Sequence, residues 1–301
     1  MSIIYIDRQD GQQKIEKVYR GRFLTLIYGD HFLNKLFYWL FLPLIACFSF
    51  FSRIYGALQK RSASAKKIVP FIKKFDIDSS EFKESVSSFH SFNDFFIRKL
   101  KPECRPLAPG EQVAIIPADG RYYFYQDISL TDGFIVKGKK FDLATLLDDA
   151  QLAQEYAHGA MVLARLCPSD YHRYHFPCAC TPQQAKLIQG HLYSVNPIAI
   201  RRHLNIFTEN KRVVTLLDSE VFGQIVYIEI GATNVGSIQQ TYTPLQTYAK
   251  GDEKGYFEFG GSALILLFQQ GKIRFEADLL AATKQGLEMR CLLGQPLGST
   301  L

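Results

Sequence analysis

Three short stretches carry side chains that could do chemistry together. The first is Phe257-Glu258-Phe259-Gly260-Gly261-Ser262, in which Phe257 and Phe259 are expected on one face of a strand, followed by the uncharged run Ala263-Leu264-Ile265-Leu266-Leu267-Phe268, which reads as a fully buried strand. A serine hydroxyl becomes a nucleophile once a base takes its proton. Placed directly after Gly261, it reaches its own peptide bond, whose carbonyl has no side chain shielding either face. Two adjacent glycines also open backbone conformations closed to other residues. The second stretch is Pro168-Ser169-Asp170-Tyr171-His172-Arg173-Tyr174-His175-Phe176-Pro177. His172 and His175 are three apart. On a helical turn they would share a face, and either imidazole can carry a proton near neutral pH. The third is Ile116-Pro117-Ala118-Asp119-Gly120. A carboxylate, an imidazole and a serine make a charge-relay set. Each stretch alone has a plainer reading. Gly-Gly-Ser makes a tight turn or bulge, a histidine can sit hydrogen-bonded in a core, and Asp-Gly is a common turn.

Order and spacing bring the three together. With Ser91-Phe92-Asn93-Asp94-Phe95-Phe96-Ile97-Arg98, His191-Leu192-Tyr193-Ser194-Val195-Asn196-Pro197 and Lys250-Gly251-Asp252-Glu253-Lys254-Gly255, they resemble the phosphatidylserine decarboxylase family. The likeness is to its prokaryotic, type II subclass, which carries Gly-Gly-Ser rather than Leu-Gly-Ser. It runs from about Ser91 to the C-terminus. The resemblance implies self-cleavage between Gly261 and Ser262. Asp119 would orient His175, and His175 would take the proton from Ser262, whose oxygen attacks Gly261. The products would be a β chain of residues 1–261 and an α chain of residues 262–301 that remain associated. Ser262 would become a covalent pyruvoyl group, the cofactor. Its carbonyl would form a Schiff base with phosphatidylserine, and loss of carbon dioxide would give phosphatidylethanolamine. His172 is the candidate for substrate contact or the protonation step.

Two features depart from that pattern. Ala263 stands where the subclass often has a second hydroxyl. The C-terminal Leu297-Gly298-Ser299 imitates the other subclass's motif, but cutting there would leave too little apolar surface to hold the fragment. Read without the resemblance, the same residues also fit a serine hydrolase with an intact chain. They fit a non-enzymatic lipid-binding protein with a structural turn as well. The second glycine of a Gly-x-Ser-x-Gly elbow is missing from Gly260-Gly261-Ser262-Ala263-Leu264.

The elements that must position these residues follow from pattern. The chain has 301 residues, 47% of them hydrophobic, enough for a sizeable core. A formal charge of +6 suits an anionic surface, and no nucleic-acid motif accompanies it. The six cysteines form no zinc-type pair, so no metal is expected, and a reduced setting is the simplest reading. Ile3–Ile6 and Lys14–Val18 around Asp10-Gly11 predict a hairpin. Leu36–Ser52 is uncharged, aromatic and interrupted by Pro43, and Arg53, Lys60, Arg61, Lys66, Lys67, Lys73 and Lys74 follow it. A buried helix, a shallow anchor and a true span all fit. The anchor fits best, since about 17 residues is the lower limit for spanning. Peripheral or shallow attachment to the cytoplasmic face of the cell membrane is therefore expected, with phosphatidylserine and anionic lipids as partners. A homodimer is compatible with the sequence.

Ser91 with Asp94 resembles a capping box opening a helix from Phe92 to Leu100. Pro102, Pro106 and Pro109-Gly110 mark a boundary near residue 108. Short strands follow at Val113–Ile116, Arg121–Tyr125, Phe134–Lys137, Met161–Leu166, Lys186–Leu192, Arg212–Leu217, Ile225–Ile230 and Val235–Gln240. A helix capped by Asp142 is expected to run to about Tyr156. The expected class is α+β. Residues 1–108 form a hairpin and a helical, membrane-associating region, and residues 109–301 form a β-rich catalytic domain.

Overall fold

The structure is a computed structural model and describes residues 3–18, 49–130, 142–200, 205–232 and 237–301. Most of the predicted anchor lies outside the described residues, as does the strand expected at Phe134–Lys137. In chain order the strands are β1 (Ile4–Asp7), β2 (Gln13–Ile15), β3 (Val113–Ile115), β4 (Gly120–Tyr125), β5 (Ala160–Leu166) and β6 (Arg173–His175). Then come β7 (Thr181–Pro182), β8 (Lys186–Ile188), β9 (Arg212–Ser219), β10 (Gly223–Gly231), β11 (Ile238–Gln240) and β12 (Glu253–Phe257). The last are β13 (Ser262–Phe268), β14 (Arg274–Phe275), β15 (Glu288–Cys291) and β16 (Pro296–Ser299). The described α-helices are α1 (Ser49–Lys60), α2 (Ile68–Phe75), α3 (Phe92–Phe96), α4 (Leu143–Leu147), α5 (Ala150–Glu155), α6 (Pro197–Ile200), α7 (Ile206–Glu209) and α8 (Ala277–Lys284). The class is mixed α and β with strand predominating.

The apolar run after Gly261 dictates the centre. All seven residues of β13 are buried, so both faces must be covered and both edges paired. β13 lies antiparallel between β5 and β10 in a sheet ordered β2-β1-β15-β4-β5-β13-β10-β9-β7, with β8 also on β9. The predicted hairpin forms and adds to this sheet, because β1 pairs parallel with β15. Alternation along β13 splits the core. Leu264, Leu266 and Phe268 enter one cluster with Tyr122, Tyr174 and Phe257, roofed by the small sheet β11-β12-β6. Ala263, Ile265 and Leu267 enter another with Leu146, Leu147, Ile206 and Phe207 from the helices. A third cluster joins Ile68 and Phe71 of α2, Phe92, Phe95 and Phe96 of α3, and Phe259.

Three expectations are corrected. The helix expected through Tyr156 breaks at Asp148, whose φ of 52° is left-handed, and Asp149 caps a second helix. The helix from Phe92 stops at Phe96, four residues short of the expected end. Phe259 does not share a strand face with Phe257; it lies past the end of β12 and packs into the phenylalanine cluster.

One ion pair crosses from the small sheet to the large one. Lys254 Nζ donates to Glu229 Oε1 at 2.5 Å, Gln240 Oε1 at 2.9 Å and Thr215 Oγ1 at 3.1 Å. Both charged side chains are fully buried. Burial raises the Glu229 pKa and lowers that of Lys254. Lys254→Met would strand the carboxylate and is expected to cost about 3–5 kcal/mol in urea unfolding. Adding Glu229→Leu should recover most of that loss. A double variant no more stable than the single one would show that the lost charge partner is not the cause.

Candidate functional site

Strand register places the chemistry at one end of the large sheet. β5 is antiparallel to both β4 and β13, with Leu166 opposite Ser262 and Arg165 opposite Arg121. The end of β5 therefore lies between the starts of β4 and β13. Asp119 immediately precedes β4, and Ser262 opens β13. They stand two strand spacings apart, about 10 Å. The chain leaving β5 between them carries His172 and His175. Ser262 has the parity of Leu264, so its side chain faces the cluster that includes Tyr174. The small sheet on that side contains β6.

The two histidines are not on a helical turn. Arg173–His175 is extended, so residues three apart point to opposite sides. His172 Nε2–H donates to Cys167 O at 2.9 Å, and its ring stacks on Phe96 at 3.9 Å. His175 Nδ1–H donates to Gly251 O at 3.0 Å, and its backbone N–H donates to Pro117 O at 2.9 Å. A carbonyl only accepts, so each contact fixes a tautomer. The neutral His175 ring is left with its lone pair on Nε2, and the neutral His172 ring with its lone pair on Nδ1. Both atoms are buried without a hydrogen-bond partner, and so is Ser262 Oγ. Most buried polar atoms are paired, so three unpaired ones at one sheet end call for an explanation.

Asp119 is present but engaged elsewhere. Its Oδ2 accepts from Arg105 Nη2 at 2.7 Å, and its Oδ1 accepts from Leu293 N at 2.8 Å. Arg105 also holds Glu81 at 3.0 Å. Among the described residues no hydrogen bond joins Asp119, His175 and Ser262 to one another. Gly251, not Asp119, accepts from the ring of His175 in this structure, while Asp119 acts on it through its field.

Burial lowers the pKa of His175, and takes that of His172 down to about 3. An unfolded histidine near 6.5 binds protons that the folded one refuses. Stability is therefore intact above pH 6.5 and is lost as pH falls from 6.5 toward 3. His172 alone is expected to contribute about 3 kcal/mol of destabilisation by pH 4. Urea titrations of wild type and His172→Gln should converge by that amount between pH 7 and pH 4. Parallel curves would refute the assignment.

The turn before Ser262 separates two roles for glycine. Gly260 has φ of 148°, which L side chains rarely adopt. At Gly261 an added methyl would lie an ordinary 3.8 Å from Ala232 and Val195. Neither backbone nor packing accounts for the glycine there. Helix α3 ties this turn to the histidine loop. Asn93 Oδ1 accepts from Phe259 N at 2.9 Å, and Phe96 packs edge-on to Phe259 at 4.9 Å while stacking on His172. The loop itself is fastened by Asp170, which accepts from Cys167 N at 2.8 Å and from Arg121 Nη1 at 2.7 Å.

The sequence profile of phosphatidylserine decarboxylase matches residues 92–299. The chain belongs to the phosphatidylserine decarboxylase family. Family relatives match almost end to end. A phosphatidylserine decarboxylase proenzyme of Chlamydia pneumoniae is 49% identical over 294 residues, 98% of this chain and 96% of the relative. One of Chlamydia felis is 49% identical over 297 residues, 99% of this chain and 98% of the relative. One of Chlamydia trachomatis serovar L2 is 41% identical over 296 residues, 98% of this chain and 97% of the relative. The family match begins at Phe92, the first residue of α3, and takes in Asp119, His172, His175 and Ser262. The sequence marks the Ser91–Arg98 segment as a helix cap and as part of the family resemblance, but assigns none of its side chains to the site. Sequence reasoning missed Asn93, Phe96, Arg105 and the Gly251 carbonyl as site residues. Motif membership was the signal for Asn93, Phe96 and Gly251.

Proposed function

We propose that this chain converts phosphatidylserine to phosphatidylethanolamine and carbon dioxide through a pyruvoyl group made from its own Ser262. The observation that carries the reading is that Ser262 Oγ, directly after the Gly261 carbonyl in the chain, and His175 Nε2 are both buried without a hydrogen-bond partner. In a chain related throughout its length to proenzymes, they are a nucleophile, a base and an electrophile. His175 Nε2 takes the hydroxyl proton as Oγ attacks the Gly261 carbonyl carbon. The peptide C–N bond breaks, the nitrogen takes the proton, and an ester replaces the amide. Loss of the Ser262 α-proton expels the Gly261 carboxylate. Addition of water and loss of ammonia then leave a ketone at the new terminus. Gly251 keeps the base nitrogen of His175 unprotonated, and Asp119 steadies the imidazolium electrostatically. When formed, the pyruvoyl group supplies the electron sink for decarboxylation of an amine substrate. His172 Nδ1 is assigned to the protonation step.

The products, residues 1–261 and 262–301, are expected to stay together. β13 would remain between β5 and β10, β15 between β1 and β4, and Glu288 on Arg165 at 2.6 Å. We also assign residues 49–75 to the membrane surface. α1 and α2 leave Ile54, Leu58 and Val69 exposed near Lys60, Arg61, Lys66, Lys67, Lys73 and Lys74. Each cation is worth about 1 kcal/mol near anionic lipid. No helix among the described residues is long and apolar enough to cross a membrane. Lys60 reaches Glu258 at 2.7 Å, which links this surface to the cleavage turn. The deciding experiment is a denaturing intact mass of wild-type protein. A 262–301 fragment lighter by one ammonia than a serine terminus supports the reading, and a single uncut chain removes it.

A further inference from the structure

Arg98 stands apart from the other buried arginines. Arg105, Arg121, Arg165 and Arg173 each meet a carboxylate within 2.8 Å, and Arg212 donates to backbone carbonyls at 2.6–3.0 Å. Arg98 is only 4% exposed. Its contacts are long: Nη2 to Ser169 O and Asp170 O at 3.3 Å each, and Nη1 to Phe95 O at 3.5 Å. Its Nε has no partner. Among the described residues no carboxylate lies within ion-pair distance of it. The guanidinium rests 4.8 Å from the ring of Phe95 and 5.0 Å from that of Phe82. Burial lowers its pKa to about 10, only partly offset by the fields of Asp119 and Asp170. A buried cation without a counter-charge is costly.

Its position is informative. Arg98 lies two residues past Phe96, which stacks on His172, and it bonds the loop that runs from β5 to His172. It is close enough for His172 to feel its charge. We propose that Arg98 is an oxyanion-binding residue of the site and takes the phosphodiester of the substrate headgroup. This rests on the decarboxylase reading given above. Phosphatidylserine offers two anions, and the chemistry distinguishes them. The carboxylate loses its charge as carbon dioxide leaves, so a cation held on it would favour the ground state over the transition state. The phosphodiester keeps its charge throughout. A guanidinium fork matches two phosphate oxygens, and the long carbonyl contacts are the ones a phosphate would replace.

The test compares wild type, Arg98→Lys and Arg98→Gln after fragment masses have established processing. The substrates are dihexanoyl phosphatidylserine and a short O-alkylserine ether that lacks phosphate. Arg98→Gln is expected to raise KM for the phospholipid about tenfold or more, with Arg98→Lys between. KM for the ether should not change. Equal KM shifts on both substrates, or none on either, overturn the proposal. Its urea midpoint should equal or exceed that of wild type, because no ion pair is lost. A lowered midpoint with unchanged KM would make Arg98 a strut between α3 and the loop. Should Arg98→Gln fail to process, glycerophosphoserine is titrated into Ser262→Ala precursors with and without Arg98→Gln. About tenfold weaker binding is expected, and equal binding overturns the proposal. A wild type that cuts no chain and decarboxylates neither substrate would instead refute the decarboxylase reading, which the mass measurement reports independently.

Discussion

Ser262→Ala is expected to remain a single 301-residue chain and to release no carbon dioxide from phosphatidylserine. The serine oxygen forms the ester in the self-cleavage, and its Cα and Cβ become the new ketone and methyl. No other side chain can substitute for it. Loss of fold is not the explanation to expect. Ser262 is fully buried and its hydroxyl has no partner, so deleting it removes an unsatisfied group and costs little or nothing in stability. The variant should therefore be soluble, with a thermal midpoint at or above that of wild type. An SDS gel and a headspace measurement of labelled carbon dioxide decide it. A hydrolase using Ser262 would also be inactivated, but its wild type would be uncut. A lipid-binding protein would be indifferent to the change. Residual decarboxylation by an uncut variant would sink the pyruvoyl mechanism.

How much of this was legible in the sequence depended on whether the signal was local. The run 263–268 was legible as a buried strand because six consecutive apolar residues need no partner information to be recognised. The Ser91 cap was legible because its donor, Asp94 N, lies three residues away. Asp119 was legible as a candidate, but its partners were not. Arg105 is 14 residues away in sequence and Leu293 is 174 away. Such pairings are settled by topology, which residue types do not encode locally. The histidine pair shows the opposite failure. An i, i+3 spacing suggested a helical face, yet the segment pairs with β12 in the small sheet, and extended pairing overrides the local pattern. Gly251 was hidden for another reason: it contributes a backbone carbonyl, and every residue has one.

The extended geometry makes the two histidines separable, and that gives the second large effect. His175→Gln is expected to slow formation of the 262–301 fragment by about 10²–10⁴-fold, the usual worth of a general base. His172→Gln should form the fragment at a rate near wild type and then lose decarboxylation by a similar factor. The difference follows from which nitrogen each ring leaves free. His175 offers Nε2 because Gly251 holds Nδ1–H, whereas His172 offers Nδ1 because Cys167 holds Nε2–H. Glutamine keeps a donor for either carbonyl but cannot exchange a proton, so the substitution tests chemistry more than packing. The pH dependence of cleavage carries the same logic. Burial lowers the pKa of His175, so its neutral, basic form already predominates at pH 6.5. The cleavage rate should be flat above that value and fall only at lower pH, as His175 takes up one proton. Refolding denatured precursor across pH 4–8 and following the fragment on gels would show this profile. If His172→Gln blocks fragment formation while His175→Gln permits it, the two assignments must be exchanged. If both variants cleave at the wild-type rate, neither imidazole is the base.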